Sequence, residues 1–155
     1  MDEQIDEYNF REAGIDDVAG LHAVRISVKE NILNNPALAS ESDYINYLTN
    51  RGKGWLCEIE SDIIAFAIID TERNNIWALF VRPECEKKGV GKRLHNIMLD
   101  WFFDQSEKNI WLGTAPGTRA EKFYKLCGWK EVGLRDNGEI KLEMTAAKWK
   151  QICGT

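Results

Sequence analysis

Ile76-Trp77-Ala78-Leu79-Phe80-Val81-Arg82-Pro83-Glu84-Cys85-Glu86-Lys87-Lys88-Gly89-Val90-Gly91-Lys92-Arg93-Leu94 passes from an apolar run, through a loop with two glycines, into a segment of helical spacing. The run 76–81 is apolar throughout, which suits a central strand covered on both faces. Beyond Gly89, residues Leu94, Ile97, Met98, Trp101 and Phe102 recur at i, i+3, i+4, i+7 and i+8, predicting a helix to about Ser106. The glycines leave backbone N–H groups uncovered at the positive end of that helix, an arrangement that suits an anion. First turns normally favour Asp or Glu, yet Lys87, Lys88, Lys92 and Arg93 crowd this one. Each cation there costs ~0.3–1 kcal/mol against the helix dipole, a sign that a bound polyphosphate would reverse. The plainer alternative is a solvated basic helix start beside a flexible loop. A Walker A loop is excluded, because position 86 is Glu and Arg93 stands where Ser or Thr would hold magnesium. A dinucleotide fingerprint is excluded because its third glycine would fall on Leu94.

Working outward, residues 8–11 read as a short strand, and a helix begins at Asp16-Asp17 with Val18, Leu21, Val24, Arg25 and Val28 at helical spacing. Asn34-Asn35-Pro36 breaks it, and a second helix is expected over 42–49. Gly52-Lys53-Gly54 reads as a turn before a hairpin of 55–60 and 63–70, joined at Ser61-Asp62. Residues 110–113 form a further strand. Thr118-Arg119-Ala120-Glu121 has the form of a capping box, starting a helix at Arg119 that Gly128 stops. Segments 129–135 and 139–145 make a hairpin across Asp136-Asn137-Gly138. This order describes one mixed α/β domain over 1–155.

Composition narrows the class. With 44% hydrophobic and 29% charged residues the balance is globular, and no apolar run approaches the ~20 residues of a membrane span. The acidic, polar start is unlike a secretory signal, so a cytoplasmic protein with no membrane partner is expected. A net charge of −5 argues against a nucleic-acid partner. Cys57, Cys85, Cys127 and Cys153 show no CxxC pairing, so no metal site is expected and the thiols read as reduced.

Two stretches resemble motifs of the GNAT N-acetyltransferases. Val81-Arg82-Pro83-Glu84 followed by Glu86-Lys87-Lys88-Gly89-Val90-Gly91 is similar to the strand–loop–helix motif [Q/R]-x-x-G-x-[G/A]. Ala120-Glu121-Lys122-Phe123-Tyr124-Lys125-Leu126-Cys127-Gly128-Trp129 is similar to the second signature, A-x-x-F-Y-x-x-x-G-[F/W]. The resemblance implies a mixed, mostly antiparallel twisted sheet of about seven strands flanked by about four helices, splayed at a cofactor cleft. It implies acetyl-CoA as cofactor. The backbone of Leu79, Phe80 and Val81 would pair with the pantetheine arm, and the amides of Lys87, Lys88, Gly89, Val90, Gly91, Lys92 and Arg93 would hold the pyrophosphate, with Phe123 adding a contact. A backbone N–H near Phe80 would serve the oxyanion. Two departures stand out: Glu86 replaces Gln or Arg, and Gly117 occupies the position of a frequent Asn.

The same resemblance gives Tyr124 the part of acid for the leaving thiolate. Phenol (~10) and thiol (~8.5) pKa values are close enough for proton return. The bland alternative is a core tyrosine with a bonded hydroxyl. Relatives often carry a carboxylate base on the strand that is 76–81 here; this strand has none, and Trp77 takes the place. Glu30 is the first candidate base, His22 and Asp70 weaker ones, with water or a free-amine acceptor as the alternative. The implied activity is acetyl transfer to a primary amine, of a small molecule or a protein, by direct attack in a ternary complex. A catalytically idle acyl-CoA-binding module is the second reading and a nucleotide-phosphate module the third. The acidic body favours a cationic amine, and a homodimer is left open.

Overall fold

The computed structural model describes residues 7–28 and 40–154. Seven strands form one sheet in the order β1-β2-β3-β4-β5-β7-β6. They are β1 (Tyr8–Glu12), β2 (Gly52–Ile59), β3 (Asp62–Asp70), β4 (Asn75–Val81), β5 (Ile110–Thr114), β6 (Lys130–Leu134) and β7 (Ile140–Met144). Every neighbouring pair is antiparallel except β4–β5. Among the described residues the α-helices are α1 (Val18–Ser27), α2 (Glu41–Asn46), α3 (Val90–Gln105), α4 (Arg119–Leu126) and α5 (Ala146–Ile152). None of them is long and apolar enough to cross a membrane.

Both faces of the sheet are covered by helices that present an apolar stripe. On one face, Leu21 and Val24 of α1 and Tyr44 of α2 pack with Leu56, Phe66 and Ile68. On the other, Leu94, Met98 and Phe102 of α3, Tyr124 of α4 and Trp149 of α5 pack with Trp55, Ala65 and Ile69. Fully burying side chains of this size contributes roughly 1.5–3 kcal/mol each. β4 divides its side chains between the two, with Leu79 and Val81 toward α3 and Trp77 and Phe80 toward α1 and α2.

Several expectations change. Gly52 and Gly54 lie in β2 rather than in a turn. A Cβ on Gly52 would stand 1.7 Å from the Ile69 carbonyl oxygen, so this glycine permits two backbones to approach. The following hairpin turns through Glu60 and Ser61, both left-handed (φ 49° and 70°), as a two-residue turn between right-twisted strands requires. The second helix is shorter, Glu41–Asn46, and continues as a π turn over Tyr47–Arg51. α5 was not expected at all. Thr145 caps it by accepting from the Lys148 N–H at 3.0 Å, and the buried Trp149 indole donates to Asp100 at 2.9 Å. Strand β4 has both faces covered, as expected, but of its side chains only Ile76 and Ala78 are buried and the rest are partly exposed. It contacts β5 through one register pair, Asn75 with Trp111, and then runs without a strand on that side.

The core also holds a polar group that the periodicity of α3 does not mark. His95 is fully buried; its Nε2 accepts from the Trp129 indole N–H at 2.9 Å, which leaves Nδ1–H to donate to Asn96 Oδ1 at 2.8 Å. Burial holds its pKa below the ordinary 6.5. The fold therefore keeps the ring neutral where an unfolded chain would protonate it. This stability is full above about pH 6.5 and is lost as pH falls toward the lowered folded value. His95→Gln is expected to flatten the fall of Tm between about pH 7.5 and about pH 5.5. Thermal denaturation at the two pH values checks this, and an unchanged fall would refute it.

Candidate active site

The site begins where β4 parts from β5. Trp77 has no register partner on β3, because Ile68 pairs with Ala78 and Ile69 with Ile76, so β4 bulges there. Three bonds pin the strands at the other end. Trp111 N–H donates to Asn74 O at 3.0 Å, Asn75 Nδ2 to Trp111 O at 3.2 Å, and Trp111 Nε1 to Arg73 O at 3.0 Å. Arg82 N–H donates across to Ile64 O at 2.9 Å, which sets the alternation of the strand. Phe80 therefore points its backbone groups at Phe66 on β3, while the N–H and C=O of Leu79 and Val81 point to the open side. Of the three residues expected to pair with a ligand, only Leu79 and Val81 have backbone groups that β3 does not use.

The open edge leads into the loop. Residues Pro83–Cys85 make one 3-10 turn, and Lys87 (φ 67°) and Gly89 (φ 84°) are left-handed. A Cβ on Gly89 would meet nothing within 4 Å, so its conformation alone asks for glycine. A Cβ on Gly91 would sit 3.3 Å from Val81 Cγ2, so this glycine lets α3 start close against the end of β4. Arg93 N–H is already bonded to Gly89 O at 3.0 Å. The amides of Gly89, Val90, Gly91 and Lys92 are the ones a helix start leaves without intrahelical acceptors. Lys87, Lys88 and Lys92 are exposed, while the Arg93 guanidinium lies 4.6 Å from the Phe10 ring. Glu86 forms an ion pair with Arg119 in the first turn of α4.

Helix α4 follows β5 directly, and that ion pair ties it to the loop. Thr118 accepts from Glu121 N–H at 3.3 Å, but Glu121 reaches Gly117 N–H at 2.7 Å rather than the cap residue. The expected capping box is thus displaced by one residue onto Gly117, the position of the missing Asn. Tyr124 is buried beside His95, Phe123 and Trp129, with ring centroids 6.3, 5.2 and 5.6 Å away. Burial, with a smaller contribution from Cys127, pushes its phenol well above the ordinary range. Phe123 is partly buried and packs edge-on against His95 at 5.8 Å.

Of the candidate bases, Glu30 lies outside the described residues. Asp70 has its carboxylate occupied: Oδ2 takes Arg51 at 2.5 Å, and Oδ1 takes the N–H groups of Glu72 and Arg73 at 2.9 and 3.3 Å. It caps the β3–β4 turn at the end away from Val81. His22 Nδ1 lies 3.2 Å from the Tyr44 hydroxyl. Burial raises all four thiols above their ordinary value, Cys57 to about 11, so none is a thiolate at neutral pH. Among the described residues no His, Cys, Asp or Glu cluster could hold a metal.

An open strand edge thus runs into a cationic, glycine-built helix start. The chain belongs to the Acetyltransferase (GNAT) family, whose sequence model matches residues 23–129. Acetyl-CoA is the acyl donor of that family. The fold is similar to that of the PaiA N-acetyltransferase from Thermoplasma acidophilum in complex with coenzyme A, with TM-score 0.75 and 16% identity over 89% of this chain and 98% of that one. It is similar to a GNAT-family acetyltransferase from Staphylococcus aureus Mu50, with TM-score 0.73 and 18% identity over 90% of this chain and 99% of that one. The ribosomal-protein-S18-alanine N-acetyltransferase from Escherichia coli is also similar, with TM-score 0.69 and 16% identity over 88% and 91%. Comparison with curated protein sequences returns no match.

Replacing Lys88 and Lys92 together by Gln is expected to weaken CoA binding about 3- to 10-fold at low salt and to flatten its salt dependence. Calorimetry at two ionic strengths checks this; unchanged affinity at both would take the lysines out of the site.

Proposed function

We propose that this chain moves an acetyl group from acetyl-CoA to a primary amine by direct attack in a ternary complex. The observation that carries the reading is the half-strand Leu79–Val81, whose outward backbone groups lead without interruption to the unpaired amides of α3. The residues present fit the donor. Leu79 and Val81 offer alternating N–H and C=O groups to an amide-bearing arm, and the amides 89–92 with Lys87, Lys88 and Lys92 offer donors to a pyrophosphate. When bound, acetyl-CoA supplies an acetyl thioester that an amine nitrogen displaces from sulfur.

The chain's own work is to orient and to handle protons. An outward N–H of Leu79 or Val81 supports an acyl oxygen better than that of Phe80, which β3 already uses. Tyr124 holds its proton firmly because burial penalises the phenolate. It therefore donates a hydrogen bond to the leaving sulfur without giving up its proton, and the released thiolate, with an ordinary pKa of about 8.5, takes its proton from solvent. No carboxylate stands on β4, so the amine's proton passes to water, and an acceptor arriving as the free amine needs no protein base.

Tyr124→Phe is expected to lower kcat about 100-fold with acetyl-CoA affinity unchanged. Because the phenol is raised, kcat of the unaltered protein should show no descending limb from Tyr124 below about pH 10. Steady-state kinetics following free-thiol release, with calorimetry for the donor, checks both. Unaltered turnover in the variant would remove the acid role.

A further inference from the structure

On the face of β4 away from α3, the side chains form an aromatic wall with two guanidinium groups against it: Arg51, 4.9 Å from the Tyr47 ring and paired with Asp70 and Glu72, and Arg25. Tyr47 stacks on Trp77 (4.2 Å, 16°), and Tyr44 meets Trp77 edge-on at 5.4 Å. The Arg25 guanidinium lies 4.9 Å from the Phe80 ring and 5.4 Å from the Trp77 ring. Its Nη1 is buried and has no hydrogen-bond partner, and among the described residues no carboxylate lies within ion-pair distance of it. Asp43 acts on Arg25 only through space, its Oδ2 accepting from Ser40 N–H at 3.0 Å. The Tyr44 hydroxyl is shared between Arg25 and His22. Burial holds the Arg25 pKa below the ordinary arginine range, so the cation pays for its place.

Arg25 has the Tyr44 hydroxyl as an acceptor, but a buried guanidinium nitrogen left without one calls for a ligand or an ordered group to complete it. The place is significant, because Phe80 and Trp77 belong to the strand whose other groups face the acyl donor. At Trp77 and Phe80 the cation is Arg25, which has no carboxylate partner among the described residues, whereas Arg51 at Tyr47 is already neutralised by Asp70 and Glu72. Resting on the acyl-transfer reading above, we propose that the acceptor bears a carboxylate held by Arg25, with an apolar or aromatic body against Tyr47, Trp77 and Phe80. A planar carboxylate matches the guanidinium edge, and flat apolar groups match the ring faces. The acidic body as a whole points toward cationic acceptors, but the local charge at the wall is the opposite and decides what binds there. The amine end then lies where no anion stabilises its protonated form, which favours the nucleophilic free base.

The test uses the full chain loaded with CoA. A panel of aromatic and aliphatic carboxylates, each paired with its neutral amide, is titrated calorimetrically. In parallel, phenylalanine is compared with 2-phenylethylamine as acceptor by free-thiol release with acetyl-CoA. The carboxylates are expected to bind about 10- to 100-fold more tightly than the amides. Arg25→Met should abolish the difference and Arg25→Lys should keep part of it, with CoA affinity unchanged in both. Equal binding of carboxylate and amide, binding of neither, or a difference that survives in Arg25→Met would overturn the proposal. Failure of the unaltered protein to bind CoA would instead remove the acyl-transfer reading itself.

Discussion

Past Asn75, strand β4 keeps its partner on one side and loses it on the other, and the parting is enforced from both ends. At the start, Trp111 and Asn75 clamp β4 to β5 through backbone and side-chain bonds. Two residues later the bulge at Trp77 turns β4 while β5 stays in full register with β7. Among the described residues no strand then satisfies the backbone groups of Leu79 and Val81. Leaving a buried amide unpaired costs about 1–3 kcal/mol, so an edge of this kind must stay wet or be paired by a ligand. An open edge also invites pairing with other chains. Here it is only half a strand long and opens into a cationic loop, which suits an anionic ligand carrying amides better than another polypeptide.

The charge distribution follows from the same geometry. The chain carries a net charge of −5, yet its loop gathers cations where a helix dipole is already positive. The structure sorts them. Arg93 turns onto Phe10, and Arg119 is drawn to Glu86, which leaves the lysines directed at solvent around the free amides. Glu86 therefore has a structural part that the family's Gln or Arg would play differently: it fastens the loop to α4 and so sets Tyr124's helix against the anion site.

Much of this was legible in the sequence because it rests on local rules. The apolar run, the glycine spacing and the stripe of Leu94, Met98 and Phe102 locate the strand, the loop and the helix within a residue or two. What escaped depends on contacts between distant segments. The bulge at Trp77 is a matter of register with β3, and Gly52 reads as a turn until the Ile69 carbonyl is seen against it. His95 looks like a polar residue beside the stripe, but Trp129 and Asn96 satisfy both nitrogens and draw it inside. α5 has seven residues and one fully buried side chain, too little for a periodicity to show. Arg25 was read only as one position of a helical stripe; its pairing with Trp77 and Phe80 joins α1 to β4 across about fifty residues of chain.

The two faces of β4 thereby divide the chemistry. Toward α3, amides and lysines present donors, and Tyr124 stands behind them as a neutral acid whose proton burial retains. Toward α1 and α2 stand aromatic rings with the unpaired Arg25 guanidinium and the carboxylate-paired Arg51, and with Trp77 where a carboxylate would have held an ammonium close. A carboxylate there would accept the amine's proton but would also stabilise the protonated, unreactive form. Its replacement by an indole gives up the base and removes that trap. In the proposed reaction, with proton removal left to water, turnover would depend on the fraction of acceptor that arrives as the free amine, and that fraction rises with pH until the amine's own pKa is passed. Tyr124, whose phenol burial keeps protonated through the same interval, would place no opposing limit on that proposed reaction.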